Sequence, residues 1–223
     1  VIVAFRGTQP LDLDNWITDA HLIQVPINKS EPDIKIHSGV LGLYNELKPQ
    51  LEFFVSEIQE QCPTCTNLEV TGHSLGAALA TMMVYDFYPS RFNKTLYRYI
   101  YGSPRLANQA FVDAFLKRVG SNIDNVWRIV QSKDIISQLP FKKMGYAPLP
   151  HEVWLNSDGT VNHVCLGSED EECQASLPVR LLEVRPHSYY FGINSGACER
   201  NDYPIITIGL NFNFNNQQNI VVG

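Results

Sequence analysis

The sequence contains no apolar run of about 18 residues or more, so nothing in it reads as a membrane-spanning helix. It also lacks any run of Lys or Arg. Its 17 basic residues are outnumbered by 23 acidic ones, for a formal charge of −6. A nucleic-acid binder needs a basic stripe that is missing here. There is no internal repeat and no Pro-, Gly- or Ser-rich linker, so residues 1–223 are expected to form one domain. Cysteine is sparse, at five residues. The pair in "CPTC", Cys62 and Cys65, has neither the second ligand pair of a zinc site nor a thioredoxin-like setting. A structural disulfide is expected there, and another between Cys165 and Cys173, which bracket the acidic stretch "LGSEDEE". Cys198 is left over, to pair with a segment preceding residue 1 or to stay a free thiol.

No signal peptide opens the chain. Val1–Phe5 is already an apolar strand, which leads us to expect a missing N-terminal segment carrying any targeting signal. Disulfides, together with the sequons at Asn28 and Asn93, fit a secreted or extracellular protein, or one in the lumen of the secretory pathway.

Apolar strands alternate with helical patterns along most of the chain. Strands are expected at "VIVAF", "NLEVTG", "YRYIY", "NVWRIVQ", "HEVWL" and "PVRLLEV". Helices are expected from about Gly39, with a kink or break at Pro49, and over "AALATMMVYDF" and "NQAFVDAFLKRV". The last apolar alternation, "IITIGLNFNFNNQQNIVV", reads as an added strand or a tail. This order predicts an α/β fold with a largely parallel central sheet, whose active residues gather beyond the carboxyl ends of the strands.

One turn carries the chemistry. Gly72-His73-Ser74-Leu75-Gly76 lies between a strand and a small-residue helix. G-x-S-x-G in that setting holds a serine on a sharp corner, where side chains at the two glycines would collide. A plain glycine-rich turn is the bland alternative. A serine hydroxyl needs a base, and the base needs a carboxylate to orient it. On a strand–turn–helix nucleophile the chain order is Ser, acid, His, which leaves His151, His163 and His187. His187, among the aromatic residues of "VRPHSYYFG", is preferred. His163 reads as surface and His151 as rim or core. Among the acids Asp134 is preferred because it follows the strand "VWRIV". Asp124 sits at a strand start and Asp158 in a turn. Leu75 N–H is expected to be one oxyanion donor, and Thr8, after the first strand, the other. Thr8 could instead merely cap a helix. Such a site needs neither metal nor organic cofactor.

Leu13, Trp16, Ile17 and Ala20 fall on one helical face of "LDLDNWITDA". The segment is read as a lid over residues 9–21, including Leu11, that could cover a cleft in water and turn to lipid at an interface. Fixed packing on the core is the alternative.

The ordered set "VIVAFRGT", "NWITD", "HSGVLGLYNEL", "VTGHSLGAALAT", "YGSPRLAN", "VWRIVQSKDIISQLP" with "GYAPLPHEVW", and "HSYYFGINSGAC" resembles the class 3 lipase family, the filamentous-fungal type of α/β-hydrolase. That resemblance implies a triad of Ser74, Asp134 and His187, with Thr8 and Leu75 as oxyanion donors and a lid at Leu11–Ala20. It implies a lipid ester substrate, a triacylglycerol above all, met at an oil–water or membrane interface without stable insertion. It also implies an N-terminal helix and strand before residue 1, and a partner there for Cys198. Ala77 departs from the pattern, which commonly has a third glycine, as do the acidic Cys165–Cys173 loop and the tail beyond Cys198. The other readings are a feruloyl-type or other soluble carboxylesterase, and a catalytically silent lipase-like binding module.

Overall fold

A computed structural model describes residues 1–7, 23–92, 94–167 and 172–194, together with the backbone of 219–222. Its centre is a seven-stranded sheet. The strands in that sheet are β1 (Ile2–Phe5), β4 (Asn67–His73), β5 (Thr95–Tyr101), β6 (Val126–Gln131), β7 (Glu152–Leu155), β8 (Val161–Cys165) and β11 (Asn219–Val222). They lie in the order β11-β1-β4-β5-β6-β7-β8, all parallel except β8, which runs antiparallel to β7. Two small antiparallel pairs flank it: β2 (Gln24–Pro26) with β3 (Lys35–His37), and β9 (Tyr189–Tyr190) with β10 (Ile193–Asn194). The register pairs Phe5 with Gly72, His73 with Tyr101, and Tyr101 with Ile129. The carboxyl ends of β1, β4, β5 and β6 therefore share one edge of the sheet.

Among the described residues, three α-helices pack on this sheet. Helix α1 (Ser38–Gln61) buries Val40, Tyr44, Leu51, Phe54, Val55 and Ile58, while Leu43 and Leu47 are only partly covered. His37 caps it by accepting from the N–H groups of Gly39 and Val40 at 3.2 and 3.4 Å. Pro49 does not break it. The carbonyl that proline leaves without a donor is that of Asn45, and both residues are exposed, so water can take the place of the missing N–H. Helix α2 (Leu75–Phe87) is buried over nearly its whole length. A helix that is apolar nearly all round can lie so deep between the sheet and α1, and its buried Thr81 hydroxyl is satisfied by the Ala77 carbonyl. Its partly exposed Asp86 meets Lys48 at 2.8 Å and Tyr44 Oη at 3.0 Å. Helix α3 (Gln109–Val119) is capped by Asn108, whose Oδ1 accepts from Phe111 N at 3.1 Å, and buries Phe111, Val112, Phe115 and Val119.

The strand expected at "PVRLLEV" does not form. Val179–Leu181 is a short 3-10 turn, and only Glu183 bridges to Asp134. The run lies past the carboxyl end of β6, where, among the described residues, the Asp134 turn is the backbone it bridges to. The strand β8 escaped the sequence reading because Val161 and Val164 are exposed, so it lacks the inward apolar face that marks a strand. Both expected disulfides are present, Cys62–Cys65 and Cys165–Cys173. The lid stretch, Thr8 and Cys198 lie outside the described residues.

Arg98 points inward from β5 between Leu96 and Ile100 and is fully buried. Its Nη1 donates to Thr81 Oγ1 at 2.7 Å and the guanidinium lies 5.1 Å over the Phe115 ring, but among the described residues Nε and Nη2 have no hydrogen-bond partner. Burial, and then the nearby Arg128, lower its pKa to about 9. A desolvated cation without an acid costs more than it returns. Thr81 Oγ1 also donates to the Ala77 carbonyl, so losing Arg98 leaves the hydroxyl satisfied. Arg98→Met is expected to raise unfolding free energy by about 1–3 kcal/mol, measured by urea denaturation. A destabilised variant would show that the Thr81 and Phe115 contacts outweigh the desolvation.

Candidate active site

Ser74 sits between β4 and α2 with φ 57° and ψ −126°, a conformation that L-residues other than glycine rarely adopt. The surrounding backbone enforces it. A Cβ on Gly72 would land on the Gly76 carbonyl and 2.8 Å from Ala77 N, and one on Gly76 would meet the Phe5 carbonyl and lie 2.7 Å from Arg6 C. Helix α2 can reach the end of β1 only because both positions lack side chains. The Ser74 N–H is fixed by the Tyr101 carbonyl at 3.0 Å, and its hydroxyl does not cap the helix. Leu75 is the first residue of α2, so its N–H has no carbonyl to bond within the helix and lies at the positive end of the helix dipole. Gly7, at the end of β1, also abuts this corner: a Cβ there would be 2.6 Å from the His73 carbonyl oxygen and 3.3 Å from Ser74 Cβ.

Asp134 and His187 meet at the same edge. Asp134 is fully buried in the turn after β6. Its Oδ1 accepts from Ile136 N at 2.9 Å, and its Oδ2 accepts from His187 Nδ1 at 2.8 Å and from Tyr190 Oη at 2.7 Å. Because Nδ1 gives its hydrogen to the carboxylate, a neutral His187 keeps a lone pair on Nε2. That atom is buried and has no hydrogen-bond partner among the described residues. The imidazole stands over Gly102, where a Cβ would be 2.9 Å from its Cε1. Gly102 follows Tyr101, the residue that holds the Ser74 N–H. Asp134 and His187 are thus bonded directly, and the imidazole stands next to the residue that holds the Ser74 N–H, with no hydrogen bond between His187 Nε2 and the Ser74 hydroxyl.

The other candidates lie elsewhere. His163 is half-exposed and paired with Glu172 at 3.1 Å. His151 is buried against Trp127, with ring centroids 4.9 Å apart. Asp158 closes its own turn by accepting from Thr160 N at 2.9 Å.

Two neighbours escaped the sequence reading. His73 donates from Nε2 to the His187 carbonyl at 2.8 Å, with the two rings 4.5 Å apart. Burial first, and then the His187 imidazole, lower its pKa to about 4, so it is neutral at pH 7. Chain order removes His73 as a base, and nothing in the sequence signals its bond to a backbone carbonyl. Tyr190 stays protonated because burial and the Asp134 carboxylate push its pKa well up. Its position three residues after His187 was the available signal.

The family model described as lipase (class 3) matches residues 2–144. A lipase of Rhizomucor miehei is 33% identical over 206 residues, covering 89% of this chain and 53% of that protein. "Secreted mono- and diacylglycerol lipase 1" of Fusarium solani is 29% identical over 198 residues, 86% of this chain and 56% of the relative. Among solved structures, a triacylglycerol lipase whose catalytic centre is formed by a serine protease triad superposes with a TM-score of 0.75 at 28% identity, covering 88% of this chain and 74% of that one. The chain spans about half the length of the curated relatives it matches. A family model covering well over half of the residues, on an α/β-hydrolase sheet with its serine at the strand–helix corner, establishes that the chain belongs to the class 3 lipase family.

Proposed function

We propose that this chain hydrolyses carboxylic ester bonds of lipids, triacylglycerols above all, through an acyl-enzyme on Ser74. The observation that carries the reading is the buried Asp134–His187 pair, with Nε2 of His187 unpartnered, at the corner that holds Ser74 in a left-handed backbone conformation. His187 Nε2 takes the Ser74 hydroxyl proton as Oγ attacks the ester carbonyl, and Asp134 steadies the imidazolium. The carbonyl oxygen becomes an oxyanion, held by Leu75 N–H at the start of α2 and by Thr8 next to Gly7. The imidazolium then protonates the leaving alcohol. Water, deprotonated by the same nitrogen, releases the fatty acid.

Lipid is favoured over a soluble ester because the segment flanking His187 exposes apolar side chains, among them Val179, Leu181, Val184, Phe191 and Ile193. An exposed apolar rim beside a site suits a greasy substrate or surface. The amphipathic stretch at residues 9–21 is the proposed lid. The two disulfides, and a relative whose name calls it secreted, support export of this protein.

A serine-reactive phosphonate is expected to label Ser74, located by mass spectrometry. Ser74→Ala is expected to lose activity by a factor on the order of 10⁶. Emulsified triacylglycerol should be preferred over a feruloyl ester and a short soluble ester. An adduct at another residue would remove the proposed nucleophile, and a clear preference for the feruloyl ester would remove the lipid substrate.

The charge state of His73 sets an acid limit on stability. Its folded pKa, about 4, lies below its ordinary 6.5, so between those values the unfolded chain binds more protons. The stabilisation is fully present above pH 6.5 and drains away as pH falls toward 4, by about 1–2 kcal/mol between pH 7 and 5. Urea midpoints of the wild type and of His73→Gln, whose amide can still donate, are expected to diverge in that window. Parallel pH curves would show that His73 does not carry the effect.

A further inference from the structure

The Asp134 turn is closed from within by Asp134 N donating to the Gln131 carbonyl at 2.8 Å and Ser137 Oγ donating to the Asp134 carbonyl at 2.9 Å. Ser132, two residues before the acid, nevertheless has φ 39°, a strained value for a serine, and its carbonyl is braced from outside by Trp154 Nε1 at 2.8 Å. One fully buried side chain, Gln174, spans it. Gln174 Nε2 donates to the Asp134 carbonyl at 2.8 Å and to the Ser132 carbonyl at 3.2 Å. Its Oε1 accepts from Gln138 Nε2 at 2.7 Å and from Ser137 Oγ at 3.3 Å. A single amide thus ties the backbone before and at the acid to the side chains that follow it.

Gln174 is itself anchored from two sides. Its N–H donates to Glu152 Oε1 at 3.1 Å, and Glu152 on β7 is buried in an ion pair with Arg128 on β6. The preceding residue, Cys173, is tied by its disulfide to Cys165 on β8. The disulfide-closed loop therefore ends by delivering an amide to the turn that carries the acid.

We propose that Gln174 is a positioning residue for Asp134: its carboxamide fixes the turn so that the carboxylate faces His187 Nδ1. It touches neither substrate nor the reacting atoms. The inference rests on the assignment of Asp134 and His187 as orienting acid and base. A displacement of about 1 Å at such a site can cost up to 100-fold in rate, and a cavity left by a smaller residue would confuse the result, so the variants keep the volume.

The experiment compares wild type with Gln174→Leu and Gln174→Met, which retain bulk and remove every polar atom. Rates are normalised to folded protein by near-ultraviolet circular dichroism. Both variants are expected to lose roughly 10–100-fold in kcat on a monomeric ester, with KM within about twofold. In unliganded protein, the low-field proton resonance of His187 Nδ1, absent from a His187→Gln control, is expected to shift or broaden in both variants. The nuclear magnetic resonance arm needs no turnover, so it reports on Gln174 even if the wild type hydrolyses none of the esters. That last result would remove the hydrolase reading alone. If one variant does not fold, the other decides. An unmoved Nδ1 resonance together with wild-type kcat in a folded variant would overturn the proposal. So would failure of both variants to fold, because it would make Gln174 a requirement of the fold itself.

Discussion

The contact on which the site depends is the approach of helix α2 to the end of strand β1. The Gly76 Cα lies so close to the Phe5 and Arg6 backbone that no side chain fits, and Gly72 lies equally close to the helix at Gly76 and Ala77. With the chain pinned on both sides, the residue between has to take a positive φ, and it is Ser74 that does. Strain of this kind costs on the order of 1–3 kcal/mol and persists only where the surroundings over-determine it. Here the small side chains of Ala77, Ala78 and Ala80, all fully buried, let the helix seat itself deeply enough to hold the corner. Packing, rather than the serine, sets the geometry.

From that corner outward, each polar group is fixed by another. The Tyr101 carbonyl holds the Ser74 N–H, and Gly102 beside it leaves room for the His187 imidazole. Asp134 and Tyr190 meet at a single carboxylate oxygen, and His73 grips the His187 backbone. A buried polar network repays its desolvation only when its members are satisfied. The conspicuous unmet atom here is His187 Nε2, the one from which a base would act.

Much of this was legible in the sequence. The strand–turn–helix pattern with paired glycines located Ser74, and the apolar strand "VWRIV" pointed to Asp134 at its far end. Strands β1, β4, β5, β6 and β7 carry their own apolar signature. What was not legible is mostly a matter of partners distant in the chain. Gln174 looks like any glutamine in a loop, and its importance comes from contacts with residues 36 to 42 positions away. Strand β8 lacks an inward apolar face, and "PVRLLEV" has the composition of a strand but, among the described residues, bridges only to the Asp134 turn. Pro49 predicts a kink or break because sequence does not reveal that Asn45 faces solvent.

The elements that supply the site differ greatly in how firmly they are built. Ser74 rises from a seven-residue strand in the middle of the sheet, whereas His187 rides on a single 3-10 turn followed by two strands of two residues each, with Val184, Phe191 and Ile193 in water. His187 and Tyr190 are buried and held by Asp134 and His73, but the sparse burial of their flanking residues makes this the part of the site that opens most readily. On warming, the imidazole should therefore leave its place while the central strands are still intact, and the protein would lose its working arrangement at a lower temperature than its fold.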